Sequence, residues 1–191
     1  MAKSNFLNPI LVAAVKADEI FNELGWEFCF IGGVALLRWG QPRQTIDVDA
    51  VIWASLGAEK SFAKSAGRFF KHRFEGSEKT AVEQRILLLR DEDGIDFDLS
   101  LGALDFEQRV IDRASYWKIP KHGKIKTCTA EDLIVLKAIA NRDQDWIDIQ
   151  NVCIRQSKKL NLKQVNAELN ELLELVDEPE ILGRWQAIRK S

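Results

Sequence analysis

Residues 45–52 read Thr-Ile-Asp-Val-Asp-Ala-Val-Ile, and two aspartates inside an apolar run constrain this chain more than any other feature. The stretch from Thr45 to Trp53 reads as a strand, in which alternate side chains share a face. Asp47 and Asp49 then point one way, Ile46 and Val48 the other. Aspartate is a poor strand former, and two like charges on one face repel unless something positive lies between them. A divalent cation answers both objections. Magnesium takes oxygen ligands at about 2.0–2.1 Å and keeps waters and substrate phosphates in its remaining positions. The competing interpretation is an exposed edge strand with two solvated carboxylates.

The segment upstream bears on that choice. Phe28-Cys29-Phe30-Ile31 has the length of a buried strand and stops at Gly32-Gly33. Val34 to Trp39 then reads as one or two helical turns, closed by Gly40 and Pro42. A strand ending in glycines that open a helix offers unpaired backbone N–H groups and a positive helix end to an anion. Without a Cβ, a phosphate approaches the backbone closely; a tight turn chosen for geometry alone is the plain alternative. Downstream, Ile95-Asp96-Phe97-Asp98-Leu99 again places two aspartates on one face of an apolar strand, so Asp96 or Asp98 supplies a third carboxylate for a two-metal site. On the segment Leu133 to Ala140, apolar residues cover nearly the whole helical circumference, and Lys137 is its single cation. A buried lysine needs a partner, either a phosphate or a site aspartate, unless it snorkels to water. Arg142, Asp145 and Asp148 lie three apart on one side of the next helix, as site residues or as an ordinary charge ladder.

Around these motifs the chain reads as mixed α+β. Asn8 caps, and Pro9 opens, a helix that ends at Gly25. Glu59 to Lys71 reads as a helix with a basic face; Val82 to Arg90 and Ile95 to Leu101 read as strands joined at Asp91-Glu92-Asp93-Gly94. Asp105 with Gln108 resembles a capping box for a helix through Arg113, and Tyr116 to Thr127 is short-strand or loop material. Helices follow at about 130–141, 143–156, 162–175 and 180–190. The expected organisation is an α/β core over residues 1–127 with a helical region over 128–191 packed on it.

Phe30-Ile31-Gly32-Gly33-Val34-Ala35, then Arg43-Gln44-Thr45-Ile46-Asp47-Val48-Asp49, resembles the signature of the nucleotidyltransferase (polymerase-β-like) superfamily. More narrowly it is similar to the AbiEii/AbiGii-type toxin nucleotidyltransferases, where a glycine turn, an Arg-x-Thr element and Asp-h-Asp stand at about this spacing. The likeness continues at Phe97-Asp98-Leu99, at Phe106-Glu107, and from Asp132 through Lys137 to Arg142, Asp145 and Asp148. One position departs: many relatives carry serine where Gly33 stands, and its hydroxyl contacts the triphosphate. The resemblance implies a small mixed sheet flanked by helices and transfer of a nucleoside monophosphate from a nucleoside triphosphate to a hydroxyl. Asp47, Asp49 and Asp98 would be the catalytic metal ligands for Mg²⁺, or Mn²⁺. Gly32, Gly33, Arg43, Thr45 and Lys137 would bind the nucleotide. It brings with it an RNA such as tRNA as acceptor, and an antitoxin protein as partner of a toxin. A small-molecule acceptor of the aminoglycoside type, or a non-catalytic binding module on the same fold, remain alternatives.

Composition excludes several classes. With 27 Lys and Arg against 29 Asp and Glu, the formal net charge of −2 argues against a globally basic nucleic-acid coat protein. Local basic stretches exist at Lys60 to Arg73 and at Lys118, Lys121, Lys124 and Lys126, as solvated faces or as an RNA track. No apolar run approaches the roughly 18 residues of a membrane span. The N-terminus Met-Ala-Lys-Ser-Asn does not read as a signal peptide. Cys29, Cys128 and Cys153 lie far apart, with only His72 and His122 besides, so neither zinc nor a disulfide framework is expected. A reduced cytoplasmic protein is the expectation.

Overall fold

The computed structural model describes residues 8–176 and 178–190; the N-terminal segment read for a signal lies outside them. Among the described residues seven strands form one mixed sheet in the order β3-β4-β5-β2-β1-β7-β6. They are β1 (Phe28–Phe30), β2 (Asp47–Trp53), β3 (Lys71–His72), β4 (Ile86–Arg90), β5 (Asp96–Gly102), β6 (Ser115–Ile119) and β7 (Gly123–Thr127). Strand alternation divides the apolar side chains between two cores. Val48, Ala50 and Ile52 of β2, with Phe97, Leu99 and Leu101 of β5, face a cluster closed by helix α1 (Pro9–Glu23) and helix α3 (Glu59–Ala66). Phe21 anchors it, with the Phe28 ring edge-on at 5.1 Å and Phe30 stacked at 6.0 Å. As the sequence implies, Asn8 caps α1 by accepting the Ile10 N–H at 3.0 Å.

Cys29 and Val51 face the other way, into a second core with α5 (Asp105–Arg113), α6 (Ala130–Ala140), α7 (Asp143–Gln156), α8 (Leu162–Leu173) and α9 (Glu180–Lys190). Helix α2 (Gly32–Trp39) shares both, giving Val34 to the first and Ala35 and Leu36 to the second. Beneath α5 and α8 lies an ionic cluster. Arg113 donates to Asp132 at 2.6 Å and to Glu168 at 2.7 Å, and Arg109 donates to Glu168 at 2.6 Å. Among the described residues no helix is long and apolar enough to cross a membrane.

Several boundaries differ from the sequence expectations. Residues 77–84 form helix α4 (Ser77–Gln84), so Val82 to Gln84 are helical rather than strand. Gly76 at φ 93° opens this helix, Ala81 buries its inner face, and Arg85 at φ 55° ends it. The Arg85 guanidinium then caps strand ends through the carbonyls of Leu101 (2.8 Å) and Ala54 (2.6 Å) and pairs with Glu59. Helix α3 stops at Ala66 before Gly67, leaving Lys71 for an edge strand. Asp105 is the first residue of α5 and not its cap. The Glu107 carboxylate supplies the closure, accepting the N–H groups of Ala103 at 2.8 Å and Leu104 at 3.0 Å.

Candidate active site

Strands β2 and β5 run parallel with Asp47 opposite Asp96 and Asp49 opposite Asp98. Register partners share a face, so four carboxylates stand together where both strands begin. Each has different surroundings. Asp96 accepts from Arg90 at 2.6 and 3.2 Å and lies 3.2 Å from Arg73 Nη1. The Arg90 bonds, with help from Arg73, hold its carboxyl below the usual range. Asp98 Oδ1 lies 3.0 Å from Arg73 Nη2 and, apart from this ion pair, is buried with no hydrogen-bond partner. Burial pushes the Asp98 carboxyl up in spite of Arg73. Asp47 Oδ1 accepts from the Thr45 hydroxyl at 3.1 Å. Asp49 Oδ2 accepts the Gly33 N–H at 3.3 Å, and burial, then the Asp47 charge, raise its pKa to about 6.

The glycine turn is shaped around these carboxylates. The Ile31 N–H donates to Asp49 O at 3.0 Å, extending the β1–β2 pairing to the turn. Gly32 sits at φ +52°, and a Cβ there would fall 2.0 Å from Asp49 Oδ2. A Cβ on Gly33 would fall 2.3 Å from Thr45 Oγ1, so Thr45 fills the space a serine at position 33 would need.

A cleft of about 550 Å³ opens beside the turn. Gly32, Gly33, Thr45, Asp47 and Asp49 line it together with Arg43, Lys137, Arg142 and Asp145. Ile46, 75% exposed, stands on its lip. Lys137 is 4% exposed on a helix whose Leu133, Ile134, Val135 and Ala138 are all buried. Its ammonium donates to Asp145, which lines the same cleft, and to Asp148, at 2.7 Å each. Arg43 closes on the same Asp148 through Nε at 3.1 and 3.2 Å and Nη2 at 3.0 Å. Arg142 Nε donates to Asp145 at 2.6 Å, and Gln144 to Asp148 at 3.1 Å. Burial pushes the Asp148 carboxyl up, but the Arg43 and Lys137 bonds outweigh it and hold it below the usual range. This network ties the segment before β2 to α6 and α7. The need of Lys137 for a partner was legible; the Arg43–Asp148 clamp, between residues far apart in sequence, has no local signal.

Among the described residues, no group of three or more carboxylate, histidine or cysteine side chains is gathered closely enough to hold a metal ion. The donor set nevertheless suits a hard divalent cation. Oxygen ligands from Asp47, Asp49 and Asp98 share a face on adjacent strands; Asp98 Oδ1 is buried without a hydrogen bond, and Asp49 is raised in pKa by burial and then by the Asp47 charge. Asp98 does not line the cleft, and Arg73 Nη2 engages its Oδ1 at 3.0 Å. Trp39 and Trp53, which flank these motifs in sequence, pack against the second core, with Trp39 Nε1 donating to Cys128 O at 2.8 Å. The basic stretches are exposed at Lys60, Lys64, Arg68 and Lys71, and again at Lys118 and Lys124, where Lys124 Nζ lies 4.0 Å from the Tyr116 ring centre.

Residues 12–186 match a family described as nucleotidyl transferase of unknown function (DUF2204). No curated protein matches the chain. The fold is similar to that of an antigenic nucleotidyltransferase-like protein from Paracoccidioides brasiliensis. There the TM-score is 0.51 at 17% identity, over 94% of this chain and 94% of that one. It is also similar to the antibiotic-resistance factor ANT(2'')-Ia, with a TM-score of 0.54 at 12% identity over 96% and 97% of the two chains.

Proposed function

The chain belongs to the nucleotidyl transferase family of unknown function (DUF2204), and from that premise we propose a metal-dependent transfer of a nucleoside monophosphate from a nucleoside triphosphate to a hydroxyl acceptor. The observation that carries this reading is the register that sets Asp47 and Asp49 against Asp96 and Asp98 beside the glycine-lined cleft. Asp47, Asp49 and Asp98 would hold Mg²⁺, or Mn²⁺ in its place. The cation supplies neutralisation of the triphosphate and of the charge that builds on the entering and leaving oxygens. Everything else falls to the chain. Gly32 and Gly33 let the phosphates approach the backbone, Thr45 steadies Asp47, and Arg43, Lys137 and Arg142, set against Asp145 and Asp148, leave an excess of positive charge beside the cleft. The acceptor hydroxyl attacks the α-phosphorus with Asp98 helping to take its proton, the bond from the α-phosphorus to the bridging oxygen breaks, and pyrophosphate departs with the electron pair.

The acceptor we propose is an RNA, tRNA among the candidates. The support is the pair of exposed basic stretches and the Tyr116–Lys124 surface on the outer hairpin. The motifs shared with the AbiEii/AbiGii-type group support the further reading of a cytoplasmic toxin held by an antitoxin protein. The test incubates the protein with Mg²⁺ or Mn²⁺, labelled nucleoside triphosphates and total RNA, beside an Asp47→Asn/Asp49→Asn control. Metal-dependent labelling of RNA, absent from the control, is expected. In a second arm that omits RNA and offers aminoglycosides, labelling of the aminoglycoside moves the acceptor to a small molecule. Nucleotide binding without transfer identifies a binding module and refutes the enzymatic reading.

A further inference from the structure

The third carboxylate is already engaged. Arg73 follows β3 directly, and its N–H donates to Leu88 O at 3.1 Å, which fixes its backbone against β4. Leu88 is the register partner of Asp98, so the Arg73 side chain reaches across β4 to β5. There its two terminal nitrogens divide between two carboxylates, with Nη1 3.2 Å from Asp96 Oδ2 and Nη2 3.0 Å from Asp98 Oδ1. The two acids are not equally dependent on it. Asp96 keeps a second guanidinium, Arg90, at 2.6 Å, whereas the buried Asp98 Oδ1 has no other partner.

We propose that Arg73 is a resident counter-ion for the metal site: with no cation bound it holds Asp98 in an ion pair, and a divalent cation recruits Asp98 only by releasing that guanidinium onto Asp96. The proposal rests on the metal-dependent reading above. A guanidinium fork prefers to close on one carboxylate, and Asp96 offers it a place one register step away on the same strand face. Until it moves, a cation between Asp47 and Asp49 meets a fixed positive charge nearby and gains two carboxylates rather than three. Arg73 is therefore a positioning residue that makes the empty site a weak metal binder. Tight loading then falls to the moment when a triphosphate adds its own negative charge.

Calorimetric titration of Mn²⁺ into the nucleotide-free full chain tests this. Arg73→Met, and Arg73→Gln as a second neutral variant, should bind Mn²⁺ about tenfold more tightly than the unmodified protein, the effect of removing one positive charge at close range in a partly solvated site. Arg73→Lys should bind as the unmodified protein does, and the gain should vanish in Arg73→Met/Asp98→Asn. An Arg73 that merely braces β3 would lower the melting temperature and leave Mn²⁺ affinity where it was; unchanged or weaker affinity in both neutral variants overturns the proposal. Asp49→Asn separates the two readings. Loss of Mn²⁺ binding in that variant with no change in Arg73→Met sinks the counter-ion alone, whereas undiminished binding in Asp49→Asn sinks the metal site and the counter-ion together.

Discussion

Replacing Lys137 by methionine removes a buried ammonium that bonds Asp145 and Asp148 at 2.7 Å each, while keeping a flexible side chain of similar length. Deleting one partner of a buried ion pair costs about 3–5 kcal/mol, because the other charge is left without compensation. Here both carboxylates keep donors. Asp148 retains Arg43 at 3.0–3.2 Å and Gln144 at 3.1 Å, and Asp145 retains Arg142 at 2.6 Å. The expected loss is therefore below that range, about 2–3 kcal/mol, or about 5–10 °C in Tm for a domain of this size. Urea unfolding at pH 7 with an unchanged m-value measures it. The sign with pH follows from Asp148, whose carboxyl the fold holds below its usual range, with Lys137 as one of the causes. Its stabilisation is present above the unfolded pKa and is lost as pH falls through the folded one. The difference between Lys137→Met and the unmodified chain should thus be full at neutral pH and shrink below about pH 4. A loss under about 0.5 kcal/mol at pH 7, or one that grows on acidification, would show that Lys137 is not the desolvated tie described.

Gly32→Ala would place a Cβ 2.0 Å from Asp49 Oδ2 at φ +52° and should abolish transfer; Gly25→Ala, at φ +69° with nothing within 4 Å, should cost only the backbone penalty of about 1–2 kcal/mol by urea unfolding. Asp49, raised to about 6, keeps a proton in the fold that the unfolded chain releases near pH 4. Relative to Asp49→Asn, the metal-free protein should therefore lose stability as pH rises from about 4 to 6 and stay level above; Mn²⁺ affinity should drop roughly tenfold per pH unit below 6. Arg113→Met strips the buried Asp132 and Glu168 of a shared donor while Thr129, Gln164 and Arg109 remain, and should cost about 2–3 kcal/mol in urea, part of it recovered in Arg113→Met/Asp132→Asn.

What the sequence made legible was local. Asn8 and Pro9 mark a helix start by chemistry that works within three residues, and Asp47 and Asp49 share a face because the strand period is two. The polarity of the C-terminal region likewise repeats at helical spacing, and four helices stand close to where it puts them. What escaped depends on partners far along the chain. Val82 suits a strand, but Ala81 is buried and Arg85 turns left-handed to cap strand ends, so the segment is helical. A two-residue strand such as Lys71–His72 carries no periodicity, and without it Arg73 gives no hint that it reaches Asp98. The choice between Asp96 and Asp98 has the same origin. Both lie opposite β2 aspartates, and the difference is Arg90, whose fork closes on Asp96 alone. The spacing of Arg142, Asp145 and Asp148 was plain, but only the tertiary fold turns two of them inward onto Lys137.

The order of the strands has a consequence for synthesis. β1 carries the glycine turn near the start of the chain, yet its parallel neighbour β7 is made only after every other strand, and α6, which brings Lys137, comes later still. Long-range parallel pairing forms slowly, and no shorter hairpin can stand in for it. A polypeptide still emerging from the ribosome therefore holds Asp47 and Asp49 before Lys137 and Arg142 exist. The cleft takes its full lining only once α6 and α7 have joined the sheet.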